Sequence, residues 1–420
     1  MDETSKKYCS LPFFGNCVMA YPLKALKDAC DIVGGIVLPS DGMECFDSSI
    51  FEKIPYISFS KTEDLFFTAL NALKTFLKTR GGHVVFAYGN MPFITSHDIL
   101  SYVEEHVKKG NVITLFEANK KNQKERVKKE YPQYGKPFLL ESVKPGIFVI
   151  SSKFALDGIE RTQTFSGLLN LARNRGLKVD FLPIGNDCLG LSITSGSDFI
   201  RSIKILKEYQ TEKLILQGVV LEDPTSIFIE PSVLFEEGAC IGPNVIIKGN
   251  SFIGSGAYVG PFSMIVNSVI MSDVIIKGHS VLEECRIEPS AKIGPFARIR
   301  PESMIGKASS VGNFVELKKA ELSENVRVNH LSYLGDCEVG AFSNIGAGVI
   351  TCNYDGVKKY RTVIEDHVFV GSDCQLVAPV HIKSHAYIGA GSTITKDVSK
   401  NSLAVSRGKQ KEYKDWVEKK

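Results

Sequence analysis

Two architectures in succession are predicted by this sequence: an α/β domain, then an all-β parallel β-helix built from six-residue repeats. Three observations carry that prediction. Between about residues 30 and 190 short aliphatic runs alternate with helical patterns; a capped helical pattern follows near residue 195; and beyond residue 222 an aliphatic residue returns at every sixth position. The 420 residues also exceed the size at which one hydrophobic core usually stops growing.

In the first half GIVLP (35 to 39), HVVFAYG (83 to 89), VITLFEA (112 to 118) and GIFVISS (146 to 152) read as strands. Between them, Lys61 to Arg80 sets Leu65, Phe66, Leu70, Leu73 and Leu77 on one helical face, and Ser96 to Lys109 reads as a second helix with Ser96 as its cap. Strand alternating with helix predicts a mostly parallel sheet covered on both sides. The basic run from Lys120 to Lys129 lacks interleaved aromatics and reads as a solvated face. SGSDFIRSIKILKEYQ then supplies Ser and Asp caps, with Phe199, Ile203 and Leu206 at helical spacing, so a connecting helix is expected to about Leu214.

The repeats follow. Ile241, Ile247, Ile253, Val259 and Ile265 are spaced by six, as are Ile270, Ile276 and Leu282, then Ile293, Ile299, Ile305, Val311 and Leu317. The spacing resumes at Ile364, Val370, Leu376, Ile382, Ile388 and Ile394. Neither a helix nor a single strand has this period; a parallel β-helix does, because each hexapeptide makes one short strand and turns a corner. Glycine often follows the aliphatic residue, at 242, 254, 260, 294, 306, 312, 371 and 389, where a corner without a Cβ is expected. The spacing fails between Ile350 and Ile364, and the polar segment TCNYDGVKKYRT reads as a loop projecting from the prism, where a cleft is expected. The basic tail RGKQKEYKDWVEKK is expected to form a capping helix with Trp416 docked on the last coil. The resulting division is 1–195, a linker helix over 196–221, the β-helix over 222–406 and a tail over 407–420.

Composition narrows the function classes. Fifty Lys and Arg stand against 47 Asp and Glu, which gives no general nucleic-acid or membrane footprint. Ten cysteines show no CxxC pair or regular framework, as expected of reduced thiols. MDETSKKYCS lacks an apolar core before a cleavage site, and the apolar runs fall far short of the roughly 20 residues that span a bilayer, so a cytoplasmic location without membrane insertion is expected.

The chemistry concentrates between Ile293 and Tyr354, where the repeat rhythm is kept while Arg300, Lys318, His330, Tyr333, Asn344, Asn353 and Tyr354 stand between the aliphatic positions. Taken alone, Arg300 and Lys318 read as solvated charges on a β-helix face, and a lone histidine as structural.

The motifs IGPFARIRP, VGNFVELKKA, HLSYLGD, NIGAGVITCNYDG, VFVGSDCQLVAPV and ITKDV decide between these readings. In this order and spacing, residues 198 to 410 resemble the C-terminal half of the bacterial bifunctional N-acetylglucosamine-1-phosphate uridylyltransferase and glucosamine-1-phosphate acetyltransferase family. The resemblance implies a left-handed β-helix, an exception to the usual crossover hand, a homotrimer with sites where subunits meet, and acetyl transfer from acetyl-CoA to glucosamine 1-phosphate on the way to UDP-N-acetylglucosamine. It makes His330 the general base, a role suited to histidine, with Glu316 orienting or polarising it. Arg300 and Lys318 then bind the phosphate by charge-assisted hydrogen bonds, Tyr333 and Asn344 hold the sugar, and Asn353 positions the amine or the acetyl donor. Lys359 reaches the ligands from the projecting loop. Ala347, Tyr354, Ser372, Ala390 and Arg407 match acetyl-CoA contacts, and small residues at 347, 372 and 390 suit a narrow pantetheine arm against backbone. None of these roles requires a metal.

The first half resembles the family's nucleotidyltransferase-like, Rossmann-like domain but departs from its motifs. Where the family has LxxGxGTRM followed by Pro-Lys, this chain has LPFFGNCVM and then Pro22, Leu23 and Lys24. Such a loop cradles phosphate with backbone N–H groups and an arginine; here two of its glycines and the arginine are gone, and Phe13 and Phe14 stand where the phosphate would approach. The family's Tyr-Gly-Asp is Tyr88-Gly89-Asn90, and a neutral amide is a poorer Mg²⁺ ligand than a carboxylate. The second metal ligand falls near Thr194 or Ser195. A structural remnant without uridylyl transfer or Mg²⁺ is therefore expected. The alternatives are a fully bifunctional enzyme and a non-enzymatic regulator, because similar domain fusions occur in subunits of a translation-initiation exchange factor.

Overall fold

The computed structural model describes residues 195–414, 416 and 417. Of the preceding chain it describes 73–79, 81–87, 93–117 and 147–184, with the shorter pieces 12–13, 16–17, 25, 36–39, 56–59, 70, 91 and 193. The contacts divide the chain into two units, residues 1–208 and 209–420.

In the first unit His83–Ala87, Ile147–Ser151, Ile113–Glu117 and Val179–Pro183 form a four-stranded sheet in that order. The expected mostly parallel sheet is corrected here. Ile147–Ser151 runs against both neighbours, so two of the sheet's three pairings are antiparallel; only Ile113–Glu117 with Val179–Pro183 is parallel. Ile36–Pro39 pairs in parallel with Tyr56–Phe59. Coverage of both faces holds, and the strand alternation shows why. Phe148 and Ile150 pack with Leu70, Leu73, Leu77 and Leu168, whereas Ile147 and Val149 pack with Met91, Ile99 and Tyr102. Leu65 and Phe66 lie outside the described residues, as does the basic run 120–129. The helix Ser96–Lys109 has the expected bounds, but its cap is Thr95, one residue earlier. Thr95 accepts from the Asp98 backbone N–H while Asp98 accepts from the Thr95 N–H, closing a capping box.

The connecting helix runs Gly196–Leu216. Ser195 opens it, accepting from the Asp198 backbone N–H and donating its hydroxyl to the Asp198 carboxylate.

From Val220 to Ala404 the chain winds as a parallel β-helix. Eleven strands stack on one face, from Val220–Leu221 to Leu403–Ala404, and the other two faces share a seventeen-stranded sheet. The repeat residues point inward as expected: Ile241, Ile247, Ile253, Ile276, Ile293 and Val370 are among a continuous row of fully buried side chains. Burying one such side chain is worth about 1.5–3 kcal/mol, and the stacked rungs together hold the coil.

Two expectations about the coil are corrected. Of the glycines after the inward residues only Gly294 takes a positive φ, so the others do not make the corners. Corners are turned two residues later, by residues at positive φ such as Phe262, His279, Phe296, Phe314 and Leu331. The glycines serve close approach: a Cβ on Gly260 would lie 2.7 Å from the Gly278 nitrogen, and one on Gly371 2.6 Å from the Ala390 nitrogen, both on the next coil. Among the described residues of the tail no capping helix forms either. Residues 405–413 have no regular structure and Trp416 is exposed.

The projecting loop is where the sequence places it. Successive coils pair residues seventeen or eighteen apart, as Glu316 with Tyr333 and Tyr333 with Ile350, but Ile350 pairs with Gln375. The added residues form a small hairpin in which Tyr354 bridges Lys359 and the Tyr360 N–H donates to the Asn353 carbonyl over 2.8 Å. Asp355 closes it by accepting from the Val357 and Lys358 backbone N–H groups. Among the described residues no helix is long and apolar enough to cross a membrane, and Cys240, Cys285, Cys337, Cys352 and Cys374 are free thiols.

Candidate active site

Four of the expected residues stand on one outward face because the register puts them there. Ile299 and Leu317 are inward neighbours on successive coils, so Arg300 and Lys318, each the next residue, lie side by side. Glu316, before Leu317, pairs with Tyr333 on the following coil. Rungs of a parallel sheet are about 4.8 Å apart, close enough for these side chains to meet. The Arg300 guanidinium donates to Glu316 Oε1 over 2.8 Å.

Lys359 reaches this face from the hairpin. The Lys318 ammonium is held below the usual lysine range, first by the neighbouring Lys359 amino group and its charge, then by Arg300, with Asp336 opposing the shift. Three cations on one partly exposed patch repel one another, and a phosphate dianion would relieve that repulsion.

Beside them Tyr333 and Asn353 meet over Gly335. A Cβ at Gly335 would lie 2.7 Å from Tyr333 Cζ and 2.8 Å from Asn353 Nδ2. Asn353 is buried and donates its side-chain N–H to Asp336 Oδ2. Below, Thr351 takes an inward rung between Leu334 and Leu376, its hydroxyl accepting from the Gly335 N–H over 2.7 Å and donating to the Gly335 carbonyl over 3.0 Å.

The second set follows one edge. The Gly348 N–H donates to the His330 carbonyl, the Asp373 N–H to that of Ala347, and the Gly391 N–H to that of Ser372. His330, Ala347, Ser372 and Ala390 thus hold the same place on four successive coils, at the corner beside the cationic face. Arg407 closes the row by donating to the Ala390 carbonyl over 2.6 Å. The row spans about 14 Å at the ordinary strand spacing. Tyr354 is exposed on the hairpin and donates its phenol to the Gly356 carbonyl. Asn344 is set apart: it lies on the eleven-stranded face, between Arg327 and Phe369, across the corner from Tyr333. The described hydrogen bond of the Glu316 carboxylate goes to Arg300.

Gly335, Asp336 and Thr351 escaped the sequence reading. Continuing the count of six from Ile345 lands on Thr351, a polar residue at an inward rung, and that was the available signal. Among the described residues no three His, Cys, Asp or Glu side chains gather as a metal site. Tyr88, Gly89, Asn90 and Thr194 lie outside the described residues; Ser195 caps a helix.

Comparison with known proteins identifies the family of the chain. The GMPPB C-terminal domain model matches residues 281–374, and the bacterial transferase hexapeptide model (six repeats) matches 361–396. "Bifunctional protein GlmU" of Syntrophotalea carbinolica is 34% identical over 96% of this chain and 91% of its own, and that of Geotalea uraniireducens 32% identical over 97% and 94%. The protein of the same name from Thermodesulfovibrio yellowstonii is 38% identical over 60% of this chain, a match that spans 56% of the relative's length.

Proposed function

Since the chain belongs to the family of bifunctional GlmU proteins and carries transferase hexapeptide repeats, we propose that it transfers the acetyl group of acetyl-CoA to the amine of glucosamine 1-phosphate. The observation that carries this reading is the Arg300, Lys318 and Lys359 cluster lying beside the corner that His330 shares with Ala347, Ser372 and Ala390. An anion site next to a base, with a row of small residues leading to that base, suits a sugar phosphate and a long thin acyl carrier.

In this reading the phosphate rests on the three cations and Tyr333 holds the sugar. Asn353 presents the amine, and the pantetheine arm runs along Ala390, Ser372 and Ala347, with Tyr354 and Arg407 at its flanks. His330 takes a proton from the amine as nitrogen attacks the thioester carbonyl. The C–S bond breaks, His330 returns the proton to the departing sulfur, which leaves as the thiol of CoA, and the amide remains on the sugar. The arginine–carboxylate pair gives Glu316 a share in shaping the pocket, through Arg300 or by polarising His330. Asn344, across the corner, fits a site completed by a neighbouring subunit, consistent with the left-handed homotrimer that the resemblance implies. The division into domains at 195, 221 and 406 belongs to the same proposal.

Purified protein given acetyl-CoA and glucosamine 1-phosphate should release free CoA in step with N-acetylglucosamine 1-phosphate. No release from folded protein would refute the reading. The long match to bifunctional relatives supports a second reading in which uridylyl transfer also survives. Mg²⁺-dependent pyrophosphate formation from UTP would establish it. Asn90 in place of the carboxylate argues for its absence.

A further inference from the structure

We infer that Asp336 is a positioning residue for the acyl transfer, acting through Asn353: its carboxylate fixes which end of the Asn353 amide faces the ligands. The inference rests on the proposed acetyltransferase reading.

A carboxylate only accepts hydrogen bonds, and an asparagine side chain has one end that donates and one that accepts. Asp336 Oδ2 takes the Asn353 Nδ2–H. Turning the amide over would set two acceptor oxygens against each other, so the orientation is locked. The surroundings leave Asn353 little other freedom. Its residue is 8% exposed, its own carbonyl is held by the Tyr360 N–H, and its amide nitrogen rests above the Gly335 α-carbon beside the Tyr333 phenol. Gly335 is in turn clamped from below by both bonds to Thr351. With nitrogen turned to Asp336, Oδ1 is the end left to meet a ligand, and it can only accept. The group that it suits is the N–H of a neutral amine. An acceptor holding that N–H leaves the nitrogen lone pair free to point at the thioester.

Asp336 sits at a corner with φ of 49°, a left-handed conformation that asparagine takes at Asn325 and alanine at Ala308 elsewhere in the β-helix. Substitutions to either are therefore compatible with the backbone. Asp336 also lies beside Lys318 and Lys319, where its charge favours their protonated forms. The test must separate that electrostatic influence from the orienting one. Orientation of the amine acts on kcat, whereas removing a negative charge beside the cationic cluster lowers the KM for the sugar phosphate.

The experiment measures steady-state CoA release for wild type, Asp336→Ala, Asp336→Asn, Asn353→Ala and the Asp336→Ala/Asn353→Ala double variant, with KM determined for each substrate. Asp336→Ala should lower kcat by about 10- to 100-fold, the scale of a misplaced reactive group, with the melting temperature nearly unchanged. Asp336→Asn, able to accept through its own amide oxygen, should recover part of the loss. The double variant should be no slower than Asn353→Ala alone. Losses that multiply in the double variant, or an Asp336→Ala enzyme with full kcat, would overturn the inference. A changed KM for acetyl-CoA in place of a changed kcat would move the N–H contact to the acyl carrier and overturn the assignment to the amine. Should Asp336→Ala not fold, the comparison of Asp336→Asn with and without Asn353→Ala reads the same coupling. Absence of CoA release in wild type refutes the acetyltransferase reading itself, a result distinct from all of these.

Discussion

Replacing Gly335 with alanine puts a methyl carbon where the site keeps its polar groups. That carbon would stand 2.7 Å from Tyr333 Cζ, 2.8 Å from Asn353 Nδ2 and closer still to the phenol oxygen, against an ordinary carbon contact of about 3.5–4 Å. Tyr333 and Asn353 must each retreat by roughly 1 Å. The backbone at Gly335 does not object, because it is absent from the positive-φ glycines, and alanine there reduces the freedom of the unfolded chain. Overpacking of about 1–3 kcal/mol is partly offset by that gain and by the outward freedom of the tyrosine ring tip. The net cost to the fold is about 1 kcal/mol. Displacement of the two side chains by the same movement should lower CoA release by about 100-fold. The assay is turnover at saturating substrates beside a thermal melt. Wild-type turnover in Gly335→Ala would refute the placement of Tyr333 and Asn353 in the site, and parallel loss of fold and activity would refute the claim that the clash is local.

Three further outcomes are expected. Thr351→Val leaves the buried Gly335 N–H without its acceptor, at about 1–3 kcal/mol offset by roughly 0.8 kcal/mol for the added methyl; a urea midpoint equal to wild type would contradict the clamp. Lys359→Ala should raise the KM for glucosamine 1-phosphate by roughly ten- to hundredfold at neutral pH. Because the Lys318 ammonium is held below the usual range by Lys359 and Arg300, wild-type affinity should fall as pH rises through that lowered value, and the fall should begin at higher pH in Lys359→Ala; identical profiles would count against the cluster. In the first unit, His106 is buried and bonded to Thr114 over 2.8 Å and to His83 over 3.0 Å. Burial first, then the charge of His83, pushes it down to about 4. Its unfolded value is higher, near 6.5, so this stability is fully present above about pH 6.5 and is lost as pH falls toward 4, by up to about 3 kcal/mol. His106→Gln should flatten that part of the urea-midpoint profile; an unchanged slope would exclude His106 as its source.

The fold is most legible in the sequence where one physical rule acts alone. An inward rung of a β-helix admits an aliphatic side chain, so the rungs from Ile241 to Leu317 and from Ile364 to Ile394 follow from spacing alone, and a broken count between Ile350 and Ile364 means inserted chain. It is less legible where two rules compete. A glycine after an inward residue satisfies both a tight corner and a close approach, and the packing of the next coil against Gly260 and Gly371 selects the second. The strand Ile147–Ser151 carries no mark of its direction, because direction is set by how the chain returns to the sheet. Trp416 looked like a cap on the last coil, yet nothing in KEYKDW compels docking. At the site, the neighbours of Arg300 followed from register alone, whereas Asp336 and Thr351 matter through hydrogen bonds to residues one coil away. Such bonds depend on side-chain direction, which spacing does not give.

The central claim is that His330, at the end of the row of small residues and beside the cationic face, takes the proton from the sugar amine. The most direct measurement is the pH dependence of CoA release from acetyl-CoA and glucosamine 1-phosphate by wild type and His330→Ala, with folding followed by circular dichroism. The account predicts that wild type releases CoA and that His330→Ala, folded alike, loses at least about 100-fold, the lower range of a general base. It also predicts that the variant's residual rate climbs with pH as the free amine supplies itself. Near-normal turnover by His330→Ala across that range would contradict it.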